Sequence, residues 1–302
     1  MSDTFSHGHA LIIGVGGELP NTVQDATGLA EVLRDPERCA YPPEQVKLLT
    51  SEQATRQSIL EALDSLSKIT DPQATVIVYF SGYGYRVKDR TRETYYLMPY
   101  GYNLRRLHIS AIKGQEFIAR LHAIPTLKML VLLDCCHANG LANSESSKLK
   151  LVNASLPPEA VQKLIKKHGR VLIASSQDDE VPFRGKPYSA FTLSLIEALC
   201  GKGVHNKDGF VRVGDLTFYT CEMVVHWTRN YQHPSLAFLH TDNYLLSYYA
   251  GGETQPKELP FTTEPEIEYR PDRPGVSCTF RLSGNGTTPA PPPEKPGKKE
   301  KK

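Results

Sequence analysis

Short apolar runs alternate with amphipathic stretches along the first 250 residues of the chain. The apolar runs, bounded by polar residues, predict buried strands at residues 10–15, 45–49, 75–80, 128–133 and 170–174. Apolar residues spaced three and four positions apart predict helices at residues 27–33, 55–69, 114–122, 189–199 and 216–228. Because strands that alternate with helices pair in parallel through right-handed crossovers, the pattern predicts an α/β fold with a mainly parallel sheet.

The composition changes past residue 250, where proline, glycine, threonine and charged residues dominate. Such a segment buries too little apolar surface to offset the entropy lost on ordering. We therefore expect one domain at residues 1–250, followed by a linker and a disordered tail at residues 251–302. A short extended piece at residues 276–282 is a candidate edge strand within this region.

The chain has 302 residues, 40% of them hydrophobic, with a formal net charge of +2 and a pI near 8.1. A charge so close to balance gives no argument for nucleic acid or a membrane surface as partner. No apolar run is long enough to span a bilayer, and residues 1–10 lack the pattern of a secretory signal. The six cysteines are scattered without CxxC pairs, as expected for free thiols in a reducing compartment. These features predict a soluble, cytoplasmic protein.

Two predicted strands end in segments that can carry chemistry, at the edge where open α/β sheets place their sites. One strand leads into Asp134-Cys135-Cys136-His137, which we expect to form the loop at its carboxyl end. The other leads into Ser81-Gly82-Tyr83-Gly84, which we interpret as a small-residue turn with one large side chain. A cysteine attacks as its thiolate, and a histidine usually helps to form it because the free thiol is little ionised near neutrality. The first segment supplies a thiol, whereas the second carries a tyrosine where such a pair needs a base.

These two segments resemble the active-site motifs of the caspase-like clan, most closely those of the metacaspases and their prokaryotic relatives, the orthocaspases. In that family a strand ending in Ser-Gly-His-Gly carries the base, and one ending in Asp-x-Cys-His-Ser-Gly carries the nucleophile. Further similar segments are Ala10-Leu-Ile-Ile-Gly14, Gln24-Asp25-Ala26, Ala174-Ser175-Ser176-Gln177-Asp178 and Ala190-Phe191-Thr192.

The resemblance covers about residues 9–250. It implies a caspase-hemoglobinase fold, in which a central, mainly parallel sheet of about six strands has helices on both faces. It also implies a large-subunit-like part at about residues 1–140, a connecting stretch at about 141–169 and a small-subunit-like part at about 170–250.

The resemblance assigns the nucleophile position to Cys136 and leaves Cys135 as its neighbour. The backbone N–H groups of Gly84 and Cys136 would then stabilise the oxyanion that forms during attack. Tyr83 occupies the position of the base, and a phenol with a pKa of about 10 is neutral at pH 7 and cannot supply an imidazolium. Loss of one member of such a unit costs on the order of 10⁶ in rate in a serine protease, although cysteine is more nucleophilic than serine. His137 follows the nucleophile directly, but adjacent side chains in a strand-end turn diverge, so we do not expect it to replace the base.

The resemblance further implies a substrate pocket for a basic residue before the scissile bond. By position, the residues of this pocket are Asp25, Ser81, Asp134 and Thr22, the last standing where metacaspases usually have cysteine. Two carboxylates at one point select Lys or Arg by charge, and a guanidinium can be bound bidentately. Taken alone, Asp25 is equally explained as a helix N-terminal carboxylate, and Asp134 as a turn cap.

No cofactor or metal-ligand set is expected from the residues themselves. Many relatives require calcium bound by acidic loops, but the acidic run that often follows the base motif is missing here. The loop at residues 86–106 carries Arg86, Lys88, Arg90, Arg92 and Arg105. It is either a solvated basic loop or a docking surface for an acidic protein partner.

The sequence thus predicts a cysteine endopeptidase homologue that recognises Lys or Arg, with activity reduced or lost because of Tyr83. The alternative is a catalytically inactive pseudopeptidase that keeps the pocket and acts as a binding or scaffold module. A third possibility is an adaptor of a larger complex that is tethered through the C-terminal tail.

Overall fold

The computed structural model describes residues 4–88, 93–136, 150–153, 156–177, 180, 183–261, 265–269 and 278–281. Residues 88, 136, 150–153, 269 and 278–281 are described by their backbone alone. Within these ranges, none of the helices is long and apolar enough to cross a membrane.

The strands of the described residues fall into one large sheet and two small ones. They are β1 (Gly8–Gly14), β2 (Val46–Thr50), β3 (Thr75–Lys88), β4 (Glu93–Met98), β5 (Ile112–Lys113), β6 (Lys128–Cys136), β7 (Lys150–Asn153), β8 (Arg170–Ala174), β9 (Arg184–Lys186), β10 (Phe210–Arg212), β11 (Ser235–Phe238), β12 (Leu245–Tyr248), β13 (Glu266–Tyr269) and β14 (Cys278–Arg281).

The α-helices pack mainly against the large sheet. They are α1 (Pro20–Arg34), α2 (Arg56–Ile69), α3 (Leu107–Ser110), α4 (Gly114–Ala123), α5 (Pro158–Ile165), α6 (Ala190–Leu199) and α7 (Val213–Trp227). Short 3-10 helices lie at Pro43–Gln45, Ser51–Gln53 and Leu104–Arg106.

The central sheet has the strand order β11-β8-β6-β3-β1-β2. Neighbours from β8 to β2 pair in parallel, and β11 pairs antiparallel with β8 at the edge. Side chains alternate between the two faces of each strand. Ile12 and Tyr79 therefore join a core with helices α1, α6 and α7, whereas Ile13 and Phe80 join one with α2, α4 and α5. The predicted α/β architecture, a mainly parallel sheet of about six strands covered on both faces, is confirmed.

Two strands continue further than the sequence pattern suggests. Ser81 to Gly84 were predicted as a turn, and Asp134 onward as a loop, but β3 and β6 run through these segments to Lys88 and Cys136. Both predictions were wrong, because the parallel ladder continues with Ser81 opposite Asp134 and Tyr83 opposite Cys136. Pairing of the glycine-rich segment with both neighbours satisfies backbone groups that a turn would leave to solvent. His137 lies outside the described residues.

The basic segment at 86–106 also differs from the predicted loop. Its first part completes a hairpin of β3 and β4, in which Arg86 pairs with Glu93 at 2.8 Å between Nε and Oε1. Its last part forms a turn and a 3-10 helix before α3. Lys88 therefore lies at the end of β3, and Arg105 lies in the 3-10 helix that follows β4, so the two residues are not on one loop.

The predicted linker and tail contain two described strands. β13 pairs with β9 and β14 in a small antiparallel sheet, and Ile267 is buried against Phe183, Ala190 and Leu193. The candidate strand at 276–282 thus corresponds to β14, which joins this small sheet instead of the central one. The connecting stretch at 141–169 likewise contains β7 and α5. The domain bounds remain a prediction.

Candidate functional site

Two carboxylates and a hydroxyl converge at the carboxyl edge of the central sheet. Asp134 on β6 and Ser81 on β3 are register partners, and Asp25 on α1 faces the same cavity. All three side chains are at most 2% exposed. Helix α1 approaches the sheet closely because Gly14 has no side chain, and a Cβ there would lie 2.2 Å from the carbonyl oxygen of Thr22. The structure therefore brings together the three acidic and polar residues predicted to line the pocket.

Ser189 joins the two carboxylates, although the sequence did not single it out. Its backbone N–H donates to Asp25 Oδ1 at 2.8 Å, and its hydroxyl donates to Asp134 Oδ2 at 3.2 Å. The same hydroxyl accepts from the backbone N–H of Thr192 and so caps the first turn of α6. A serine directly before an apolar helix is a capping signal that the sequence does contain.

Tyr79 is a second residue that the sequence analysis missed. Its hydroxyl donates to Asp134 Oδ2 at 3.5 Å and lies 2.9 Å from Thr192 Oγ1. Tyr79 stands two positions before Ser81 on the same strand, so the alternation of β3 places both on one face. This alternation is the signal that could have identified it.

Burial has the largest effect on the pKa values of Asp25 and Asp134. It raises the pKa of Asp25 well above its usual range, and the nearby Asp134 raises this pKa further. Burial also raises the pKa of Asp134, against the opposing effect of nearby hydroxyls, that of Ser175 first and then those of Ser189 and Tyr79. Among the described residues, no Lys or Arg forms an ion pair with either carboxylate. The pair therefore holds a proton at pH values where exposed carboxyls have lost theirs.

The cavity between these groups is small, and most of its lining residues are polar. Its volume is about 10 Å³, close to the minimum that holds one water molecule. Ser81 Oγ and Asp134 Oδ1 are buried and have no hydrogen-bond partner among the described residues. Phe183 and Arg184 form part of its wall. The cavity is thus too small in this structure to hold an amino-acid side chain.

Thr22, the fourth predicted pocket residue, lines the cavity but has its own structural role. Its hydroxyl donates to the carbonyl oxygen of Leu19 and accepts from the backbone N–H of Gly16, both at 2.8 Å. These bonds hold the turn between β1 and α1. Thr22 therefore supports the position of Asp25, one helical turn further along.

The residues at the nucleophile and base positions are neighbours in the sheet. Tyr83 lies opposite Cys136 in the register of β3 and β6, and Gly84 lies opposite Leu97 of β4. Tyr83 is 8% exposed and packs within an apolar cluster of this hairpin, with its ring centroid 5.9 Å from that of Tyr85. The catalytic roles of Cys136, Tyr83 and Gly84 remain predictions.

Cys135 lies on the opposite face of β6, among the apolar residues packed by α4 and α5. The hydroxyl of Tyr95 donates to its sulfur at 3.7 Å. Burial raises the pKa of the Cys135 thiol to about 12. A thiol in this state is little ionised at neutral pH and is therefore a poor nucleophile.

The arrangement is that of an α/β protein with a buried acidic pocket at the strand ends, beside a paired tyrosine and cysteine position. The chain belongs to the caspase domain family (peptidase C14), which matches residues 7–243. The predicted caspase-like resemblance is thereby confirmed.

A solved structure shows the same fold. It is the crystal structure of the protein GSU0716 from Geobacter sulfurreducens, which is 15% identical and aligns with a TM-score of 0.52. The alignment covers 78% of this chain and 94% of that chain. No curated protein sequence matches the chain. Within the described ranges, no three His, Cys, Asp or Glu side chains are grouped closely enough to hold a metal ion.

Proposed function

We propose that this caspase-family protein is a cysteine endopeptidase homologue that recognises Lys or Arg before the scissile bond. Cys136 is the nucleophile, the N–H groups of Gly84 and Cys136 stabilise the oxyanion, and Tyr83 at the base position reduces or abolishes turnover. The observation that carries this proposal is the convergence of Asp25 and Asp134 in one buried cavity, where neither forms an ion pair with a Lys or Arg of the described residues.

The pocket has the chemistry that a guanidinium needs. Asp134 Oδ1 and Ser81 Oγ have no hydrogen-bond partner among the described residues, so both can accept from a ligand. A guanidinium presents several donors in one plane, and a bound cation also lowers the pKa of nearby carboxyls. The positive charge of the ligand would thus compensate the negative charge of the two buried carboxylates. An ammonium offers the same charge with less directional bonding, so we propose that both Lys and Arg are accepted.

The base position argues for weak catalysis. A histidine raises the thiolate fraction and then protonates the leaving amine, and each such proton transfer contributes about 10² to 10⁴ in rate. A buried phenol cannot act as this cation at neutral pH. Cleavage therefore depends on the intrinsic nucleophilicity of the cysteine.

The packing of Tyr83 favours a second candidate function. Its ring belongs to the apolar cluster with Tyr85, Tyr96 and Met98, so it is part of the folded hairpin. A protein that keeps the pocket but has a packed phenol at the base position would bind basic segments without cutting them. This pseudopeptidase would be a binding or scaffold module.

A comparison of Tyr83→His with the native chain on Arg and Lys reporters tests the two candidates. Cys136→Ala is the matched control. A norleucine reporter, which has the four-carbon chain of Lys without its ammonium group, tests whether the pocket requires a positive charge. Native turnover above the control supports the endopeptidase, and a gain only in Tyr83→His supports the binding module. If Arg and norleucine reporters behave alike in both proteins, and Arg peptides do not bind, the Lys/Arg proposal is rejected.

The remaining parts of the proposal concern the surroundings of the protein. We propose a cytoplasmic protein without a metal cofactor, whose ligand is a protein or peptide segment. The hairpin region at 86–106 and the C-terminal tail are the proposed surfaces for further protein partners. Pull-down experiments with and without residues 251–302 test the role of the tail.

A further inference from the structure

A second cavity lies beyond Tyr83, away from the Asp25–Asp134 pocket. Its volume is about 600 Å³, within the range of ligand-binding clefts. Three tyrosines line it, Tyr83, Tyr100 and Tyr102, together with the carboxylate-bearing residue Glu18. Ser81 borders the acidic pocket and Tyr83 borders this cavity, so the two sites are two residues, about 7 Å, apart along β3.

The tyrosine walls are held in place by the fold. Tyr83 is buried within the hairpin, and its ring is tilted against that of Tyr85. The backbone N–H of Tyr100 donates to Ala54 at 2.9 Å, and its hydroxyl donates to Glu52 Oε1 at 3.2 Å. Walls that are already ordered lose little entropy when a ligand binds.

Two glycines in the lining leave space beside the tyrosines. Gly17 and Gly101 have φ angles of 64° and 74°, and a Cβ at either position would meet nothing within 4 Å. This region of φ favours glycine, so both turns can be tight without side chains that would obstruct the entrance. A side chain from a bound peptide can therefore reach the tyrosines.

The carboxylate of Glu18 acts on the tyrosines of this cavity. Burial raises the pKa of Tyr102 to about 12, and the next largest cause is the charge of Glu18. Glu18 also contributes to the raised pKa of Tyr85, and Glu52 raises that of Tyr100. One cation, Arg105, is exposed in the lining, and it is not among the causes of these shifts. Aromatic faces with a carboxylate beside them attract cations.

We propose that this cavity is a second cation subsite, which binds a further Lys or Arg side chain of the peptide held in the Asp25–Asp134 pocket. This inference rests on the proposed function and adds to it that the preferred ligand is a segment with two basic residues. Because an extended chain advances about 3.3 Å per residue, the second basic residue lies one or two residues beyond the first.

The test measures peptide binding to the full chain carrying Cys136→Ala, by calorimetry or fluorescence anisotropy. The probes are an Arg peptide, the same peptide with a second Lys at one of three spacings, and matched peptides with norleucine or phenylalanine in place of that Lys. The variants are Glu18→Gln, Tyr102→Leu and Asp25→Asn. Glu44→Gln is the control, because it removes the same charge from an exposed site outside the cavity.

We expect the second Lys to tighten binding about tenfold over norleucine, as a cation next to aromatic faces and one carboxylate would. Glu18→Gln should reduce this tenfold gain in affinity by a factor of about two to five, and Glu44→Gln should leave the gain unchanged. Tyr102→Leu should reduce the same gain in affinity by a factor of about three to ten.

Other outcomes separate this inference from the proposed function. The subsite is overturned if the norleucine or phenylalanine peptide binds as tightly as the Lys peptide, or if Glu18→Gln and Glu44→Gln act alike. If Asp25→Asn still weakens the single-Arg peptide in that case, the Lys/Arg pocket stands without the subsite. If Asp25→Asn has no effect while Glu18→Gln does, the subsite stands and the pocket assignment fails.

Discussion

If the Asp25–Asp134 pocket binds Arg as proposed, its affinity should depend on pH in a direction set by the raised pKa values of the two carboxyls. Burial raises the pKa of both carboxyls, so the free pocket holds a proton. Entry of a guanidinium favours the ionised pair, and binding therefore releases that proton. Below the raised pKa, we expect the affinity to increase with pH by up to tenfold per unit, or about 1.4 kcal/mol, for one proton released.

The stability of the free protein should change in the opposite direction. A carboxyl whose pKa in the folded state exceeds the usual value of 3.8 binds more protons when folded than when unfolded. The free energy of unfolding then falls as the pH rises from the unfolded pKa through the folded one. Asp25→Asn removes one of the two buried charges, so the variant should gain stability relative to the native chain as the pH increases.

Calorimetry between about pH 5 and pH 8 measures both effects, with an acetylated and amidated Arg peptide that has no titrating group in this range. The protein carries Cys136→Ala, and buffers with different ionisation enthalpies count the protons released. In Asp25→Asn we expect weaker binding and a shallower pH dependence. An affinity that does not change with pH, or an equal slope in Asp25→Asn, would refute the reasoning.

Three further predictions concern the surroundings of the pocket. Gly14→Ala should destabilise the fold by about 1–3 kcal/mol, measured by denaturant unfolding, because its Cβ would meet the backbone of α1 at 2.2 Å. Arg170→Leu should cost about 1–3 kcal/mol in the same measurement, because the buried carbonyl of Thr126 loses its charged donor and that of Ile124 keeps only Lys167. Cys135 should resist iodoacetamide at pH 8 in the folded protein and react after unfolding, as mass spectrometry of its peptide would show, because its pKa is about 12.

Much of the fold follows from local patterns in the sequence. The apolar run at 170–174 coincides with β8, and the helix predicted at 55–69 coincides with α2 and its cap at Thr55. These elements were predictable because each buries a complete face or stripe. Helix α1 begins at Pro20, seven residues before its predicted start, because its first turns carry polar side chains that hide the helical spacing.

The pocket was predictable only in part. Asp25 and Asp134 were predicted to lie together only because the segments that carry them resemble those of a known family. No local pattern in the sequence shows that residues so far apart in the chain meet. Ser189 was missed because its capping signal explains a helix start but not its contact with Asp134, which depends on how α6 packs. The extension of β3 was missed because glycine weakens strands, and here pairing with a neighbouring strand overrides that tendency, with Gly82 opposite Cys135 of β6 and Gly84 opposite Leu97 of β4.

The continuity of β3 limits how this protein can vary. Ser81 and Tyr83 share one uninterrupted strand, so inserting or deleting a single residue between them would turn every later side chain to the other face of the sheet. Tyr83 would then point toward the layer that contains Phe80 and Cys135. A change of one residue in chain length is therefore disfavoured at this place unless a β-bulge absorbs it, and the continuous strand fixes the distance between the acidic pocket and Tyr83. Exchanging one side chain for another keeps the register, and Tyr83 at the position predicted for a histidine would be an exchange of that kind.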